Sequence, residues 1–115
     1  MSKQANISCL ASSQCKNISA GTPALHQAQI EELFLQLHGW SQQGMLIYKS
    51  FEFKDFYQTM SFVNAVAWIS SQQDHHPEMY IGYNKCKVEY STHSVGGLSD
   101  NDFICAAKVD ALLIA

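Results

Sequence analysis

The sequence predicts an α+β fold in two layers, a four-stranded antiparallel sheet with helices packed on one face, in the order α-β-β-α-β-β-α. Three observations lead there. Cys86, Val88, Tyr90 and Thr92 alternate with Lys87, Glu89 and Ser91, as in an antiparallel strand with one buried face. Apolar residues recur at helical spacing across residues 56–69, directly after a capping residue. Ser99-x-x-Asp102 opens a final helix with a capping-box pattern.

The elements follow in order. Residues 1–20 carry Ser, Asn, Gln and Ala without periodicity and read as a flexible leader, which leaves 21–115 as the folded domain. Thr22 and Pro23 suit the cap and first position of a helix, and Ile30, Leu33, Phe34 and Leu37 give it one apolar face. Gly39 can close that helix in a left-handed conformation. Trp40 begins a short extended piece, and Gln43-Gly44 offers a turn. Met45, Ile47, Phe51 and Phe53 then fall on one side of a strand, a pattern that Lys49 breaks. Asp55 with Gln58 starts a second helix that continues to about Gln73. Its stripe of Phe56, Met60, Val63 and Ala67, widened by Phe62, Val66 and Ile69, is broad enough to meet both a sheet and a neighbouring subunit. Pro77 ends any helix before it, Met79–Tyr83 reads as a strand, and Asn84-Lys85 as a turn. Gly96-Gly97 makes a corner before the last helix, which runs almost to Ala115.

Composition narrows the function. A chain of 115 residues is one domain, able to bury roughly 65% of its unfolded surface. A net charge of −3 without a Lys/Arg cluster argues against nucleic acid. No apolar run approaches the ~18 residues of a membrane span. The first twenty residues lack the basic start and apolar block of a signal peptide, and the chain reads as cytoplasmic. Cys9, Cys15, Cys86 and Cys105 form no CxxC pair, so they read as reduced thiols.

Chemistry concentrates in Asp74-His75-His76-Pro77-Glu78, with a third histidine in Ser91-Thr92-His93 and an acid at Asp102. Imidazoles titrate near neutral pH and can serve as acid, base or metal ligand. His75 and His76 are adjacent, so their side chains diverge and would not chelate one metal as an i,i+4 helical pair would. Three histidines and a carboxylate would still suffice for zinc, drawn from three separate segments. Neither Cys86 nor Ser91 has the context of a nucleophile. Asp102 also has a purely local explanation as the third residue of its capping box.

These residues resemble the pterin-4a-carbinolamine dehydratases. The resemblance rests on Asp74-His75-His76-Pro77-Glu78, with five residues between Pro77 and Tyr83, nine more before His93 and eight before Asp102, and with Gly97-Leu98-Ser99 in that last interval. It extends upstream to Gly39-Trp40 and Phe53-Lys54-Asp55-Phe56. The chain departs from the family at Ser71-Gln72, where a Glu-Lys pair is frequent, and at Met79, where an aromatic is common. The resemblance implies loss of water from a 4a-hydroxytetrahydropterin to give a quinonoid dihydropterin, in support of a pterin-dependent hydroxylase. It implies His75 and His93 as the acid–base pair, with either in either role, and His76 positioning the pterin. Asp102 would orient a histidine, while Trp40, Pro77, Glu78, Ser91 and Thr92 would line the substrate site. No metal or other cofactor is implied. A homodimer or homotetramer is implied, and so is an alternative role as a protein-binding dimerisation cofactor or a non-catalytic pterin-binding module.

Overall fold

Alternation along two central strands builds the layer that carries the site. The computed structural model describes residues 9–19 and 21–113. Helix α1 (Gln27–Phe34) precedes β1 (Ser41–Gln43) and β2 (Leu46–Glu52); helix α2 (Phe56–Gln73) leads to β3 (Glu78–Ile81) and β4 (Lys85–Tyr90), and helix α3 (Asp100–Ala111) follows. The sheet order is β1-β2-β4-β3, and every pairing is antiparallel. This is the α+β arrangement that the sequence predicts.

Register explains the buried face. Ile47 pairs with Tyr90, Lys49 with Val88 and Phe51 with Cys86, so one face of β2 and β4 holds these six residues. Five of them are buried and apolar. Lys49 shares the face, and its ammonium meets Asp110 of α3 at 2.9 Å and the His38 carbonyl at 2.6 Å. The break in alternation at Lys49 is therefore an ion pair at the sheet's edge with the helices. Aromatic rings tie the elements together: Phe51 of the sheet meets Phe62 of α2 at 4.7 Å, and within the helical layer Phe34 of α1 meets Phe103 of α3 edge-on at 5.3 Å. On the outer face, Lys87 lies over the Tyr48 ring and pairs with Glu89.

Several boundaries differ from expectation. Helix α1 begins at Gln27 rather than at Pro23, with His26 as its cap and the His26 N–H bonded to Gln29 Oε1 at 2.8 Å. Residues 22–26 stay outside the helix, because the Leu25 N–H donates to the Leu98 carbonyl instead. The helix ends at Phe34, well before Gly39, although Gly39 does take a left-handed φ of 82°. Asp55 caps α2 as expected, accepting from the Gln58 N–H at 2.9 Å. The buried stripe of α2 is Thr59, Phe62, Val63, Val66 and Ile69, while Phe56 and Ala67 face outward. Met45 is also exposed.

The stretch expected to be a leader contains packed residues. Leu10 lies in the core at 4% exposure, and its N–H bonds Gln36 Oε1. Residues 1–8 and 20, and 114–115 at the other end, lie outside the described residues. Truncating Leu10 to Ala should therefore cost about 2 kcal/mol or more in denaturant unfolding. Leu35→Ala, at a site 82% exposed, should change stability by no more than about 0.5 kcal/mol.

Candidate active site

The site begins where α2 stops. Asp74 ends the helix in a left-handed conformation, φ 52° and ψ 44°, a cost of roughly 1 kcal/mol for a residue with a side chain. It is the single non-glycine residue of positive φ among the described residues. That turn brings the His75 N–H back onto the Ser70 carbonyl at 3.2 Å and directs the imidazole inward. His75 stacks on Tyr90, with ring centroids 5.7 Å apart and planes 11° from parallel. Its Nε2 lies 2.7 Å from Asp102 Oδ1.

Asp102 is completely buried, and each of its bonds has a local cause. As the third residue of the α3 capping box it accepts the Ser99 N–H through Oδ2 at 3.0 Å. Thr92, two positions beyond Tyr90 on the same face, donates its hydroxyl to Oδ2 at 2.8 Å. The Thr92 hydroxyl also meets the Ser99 hydroxyl at 2.8 Å. A buried carboxylate is tolerated only when such donors replace water. With Asp102 accepting, the His75 Nε2 carries hydrogen and Nδ1 is the nitrogen left for chemistry.

Electrostatics favour the charged imidazole. Burial alone pulls the His75 pKa down, but the hydrogen bond and charge of Asp102 outweigh it, with help from Cys15 and Asp74, and the net shift is upward. Beside it, burial pushes the Tyr90 phenol strongly up, so the stacked ring stays neutral. The Tyr90 hydroxyl is buried and makes no hydrogen bond of normal geometry among the described residues.

A polar cavity of about 380 Å³ opens on His75, lined also by Asp74, Thr92, Ser94, Gln73 and Asn101, with residues 15–18 as one wall. A larger cavity of about 530 Å³ lies between α2 and the chain's end, lined by Tyr57, Phe62 and Leu113 among others, and contains no histidine. Of these two, the smaller is the one that His75 lines.

The fold gathers His75, Thr92 and Asp102 and leaves the other expected residues apart. His93 is exposed at the start of a single 3₁₀ turn, His93–Val95, between cavity-lining Thr92 and Ser94. His76 is exposed as well, and neither histidine bonds to His75 or Asp102. Glu78 is exposed at the first position of β3, Pro77 is buried and Ser91 half-buried; none of the three lines the cavity. Trp40 is not a wall of it. At 8% exposure its ring packs on Phe51 and Tyr90, and its indole N–H donates to Asp110 Oδ1 at 3.0 Å. The aromatic neighbour of the site is Tyr90, which the alternation of β4 places on the Thr92 face. Asn101 and residues 15–18 carry no sequence signal for the site, since only the fold brings them to it. Among the described residues, no three His, Cys, Asp or Glu side chains converge as a metal-binding group.

An α+β domain with a carboxylate-bonded imidazole set on a polar cavity is the class that these features define. A model of the pterin 4 alpha carbinolamine dehydratase family matches residues 23–112. Two relatives share the provisional name pterin-4-alpha-carbinolamine dehydratase. The one from Nitrosospira multiformis is 59% identical, covering 90% of this chain and 91% of its own. The one from Nitrosomonas eutropha is 57% identical, covering 96% and 98%. A solved transcriptional coactivator/pterin dehydratase from Brucella melitensis superposes with a TM-score of 0.75 at 33% identity, over 77% of this chain and 97% of that one. A pterin dehydratase-like protein described as a RuBisCO assembly factor in the alpha-carboxysome gives a TM-score of 0.57 at 29% identity, over 67% and 92%. The chain belongs to the pterin 4 alpha carbinolamine dehydratase family.

The raised pKa has a consequence for stability. A histidine whose pKa rises on folding binds its proton more tightly in the native state. Its contribution is complete below the unfolded value of 6.5 and is lost as pH rises through the raised value. Wild-type protein should therefore exceed His75→Gln most in thermal stability below pH 6.5. Melting temperatures measured from about pH 5 to about pH 9 should show the gap narrowing upward.

Proposed function

We propose that the protein is a cytoplasmic dehydratase acting on 4a-hydroxytetrahydropterins such as 4a-hydroxytetrahydrobiopterin, returning the spent cofactor of pterin-dependent aromatic amino acid hydroxylases as quinonoid dihydropterin. The observation that carries this reading is the His75–Asp102 pair set on a polar cavity. Elimination requires a proton on the departing C4a hydroxyl and removal of the N5 proton, so that water leaves and a C4a=N5 bond forms. His75 is the acid. Asp102 holds its Nε2–H, the charged form is favoured, and Nδ1 delivers the proton. His93, on the turn between Thr92 and Ser94, is the base at the cavity rim, and His76 positions the pterin. Acid–base steps of this kind contribute about 10²–10⁴-fold each. The reaction in this reading uses no metal or other cofactor. The absence of a helix long and apolar enough to cross a membrane among the described residues is consistent with the proposed location.

One observation favours a second reading beside the first. The outward side of α2 exposes Tyr57 and Trp68, the latter at 65%, with Leu112 and Leu113 exposed at the end of the chain's described part. Such a face suits self-association into a dimer or tetramer, or a protein partner. It fits the coactivator and assembly-factor descriptions carried by the two structural neighbours.

The test is dehydration of freshly generated 4a-hydroxytetrahydropterin, followed by absorbance. Wild-type protein should outrun the spontaneous rate, with His75→Ala and His93→Ala each slowed by about 10²-fold or more. A wild-type rate equal to the spontaneous one would remove the catalytic reading and leave the binding role.

A further inference from the structure

Residues 9–19 lie outside the part of the chain that the family matches, yet side chains from three elements or their flanks hold them. Lys108 donates to the Ala11 carbonyl at 2.9 Å, and Gln73 Oε1 accepts the Cys15 N–H at 2.8 Å. Asn101, buried at the start of α3, closes on Lys16 from both sides. Its Oδ1 accepts the Lys16 N–H at 2.9 Å, and its Nδ2 donates to the Lys16 carbonyl at 2.8 Å. These bonds set residues 15–18 as a wall of the His75 cavity. In the middle of this strap the Cys15 Sγ stands 3.5 Å from the Cys105 Sγ of α3. Cys105 is fully buried, whereas Cys15 is half-buried and reaches the cavity.

We propose that Cys15 and Cys105 form a peroxide-oxidisable dithiol whose disulfide latches the strap onto α3 and fixes that wall of the cavity. The partners are already in contact, so closure to the ~2.05 Å of a disulfide needs only a small approach of the strap. The two thiols have different parts. The hydrogen bond with Cys105 outweighs burial and, with the charges of His75 and Lys108, holds Cys15 below the ordinary thiol range. Contact with Cys15 and burial push Cys105 up. Cys15, half-buried on the cavity wall while Cys105 is buried, is the thiol that a peroxide entering the cavity meets, and it reacts as its thiolate. Its sulfur bonds one peroxide oxygen as the O–O bond breaks, giving a sulfenic acid and hydroxide, and the hydroxide takes the proton that the Cys15 thiol had released and leaves as one water. The Cys105 sulfur then attacks the Cys15 sulfur, the S–O bond breaks, and hydroxide leaves with the Cys105 proton as a second water. Two thiols lose two electrons and two protons, and the peroxide is reduced. Cys9, exposed, and Cys86, buried in β4, have no thiol neighbour among the described residues.

The experiment treats reduced, folded full-length protein with hydrogen peroxide, then maps unreduced peptides by mass and follows amide hydrogen exchange. A peptide joining Cys15 to Cys105, lighter by two hydrogens and released by dithiothreitol, is expected. It should be missing from Cys15→Ser and from Cys105→Ala. Amides of Cys15 and Lys16 should exchange about tenfold more slowly in the oxidised protein. Cross-links through Cys9, over-oxidation of Cys15 without a cross-link, or unchanged exchange beside a formed cross-link would each overturn the latch. Mass and exchange read the latch without a pterin, so its failure and a failure of the dehydratase reading are separate results.

Discussion

The structure turns on one buried carboxylate. Asp102 has no solvent-accessible surface and satisfies its oxygens with the Ser99 N–H, the Thr92 hydroxyl and the His75 imidazole. Those donors come from the start of α3, the end of β4 and the turn after α2. A single group therefore pins three parts of the fold to one point, and removing it would strand three polar partners in a dry interior. The same group sets which imidazole nitrogen faces the cavity and favours the charged form of the ring. Architecture and the state of His75 both depend on this one side chain.

A second polar cluster does the parallel work at the other end of α3. Asp110 accepts from the Lys49 ammonium at 2.9 Å and from the Trp40 indole at 3.0 Å. It ties the entry to β1 and the middle of β2 to the helix, and it explains why a lysine occupies an inward position of a strand. The two carboxylates clamp α3 across the sheet near both of its ends. Between them Phe103, Ala106 and Val109 are buried in the core. The cavity's geometry thus rests on elements tied to one another through α3.

Sequence made the scaffold legible wherever local rules act. The alternation of Cys86, Val88 and Tyr90, the Asp55 cap and the Ser99–Asp102 capping box all appear in place. The start of α1 was less legible, because a long-range bond from Leu25 to Leu98 wins over the preference of Thr22 and Pro23 for a helix start. The strap was illegible for a similar reason. Its composition is that of a loose segment, and its order comes from Gln73, Asn101 and Lys108 elsewhere in the chain. At the site, the motif marks His75 and Asp102, but their pairing is a tertiary fact across twenty-seven positions. Trp40 was the reverse case: an aromatic suited to a pocket wall whose N–H finds its partner in the core.

The most direct test of this account is the pKa of His75, read from imidazole proton shifts by NMR in wild-type protein and in Asp102→Asn. The account predicts a wild-type value above 6.5. In the variant, burial would act with its main opponent gone, and the value should fall by roughly one unit or more. An unchanged His75 pKa in Asp102→Asn would contradict the claim that this carboxylate holds the imidazole charged.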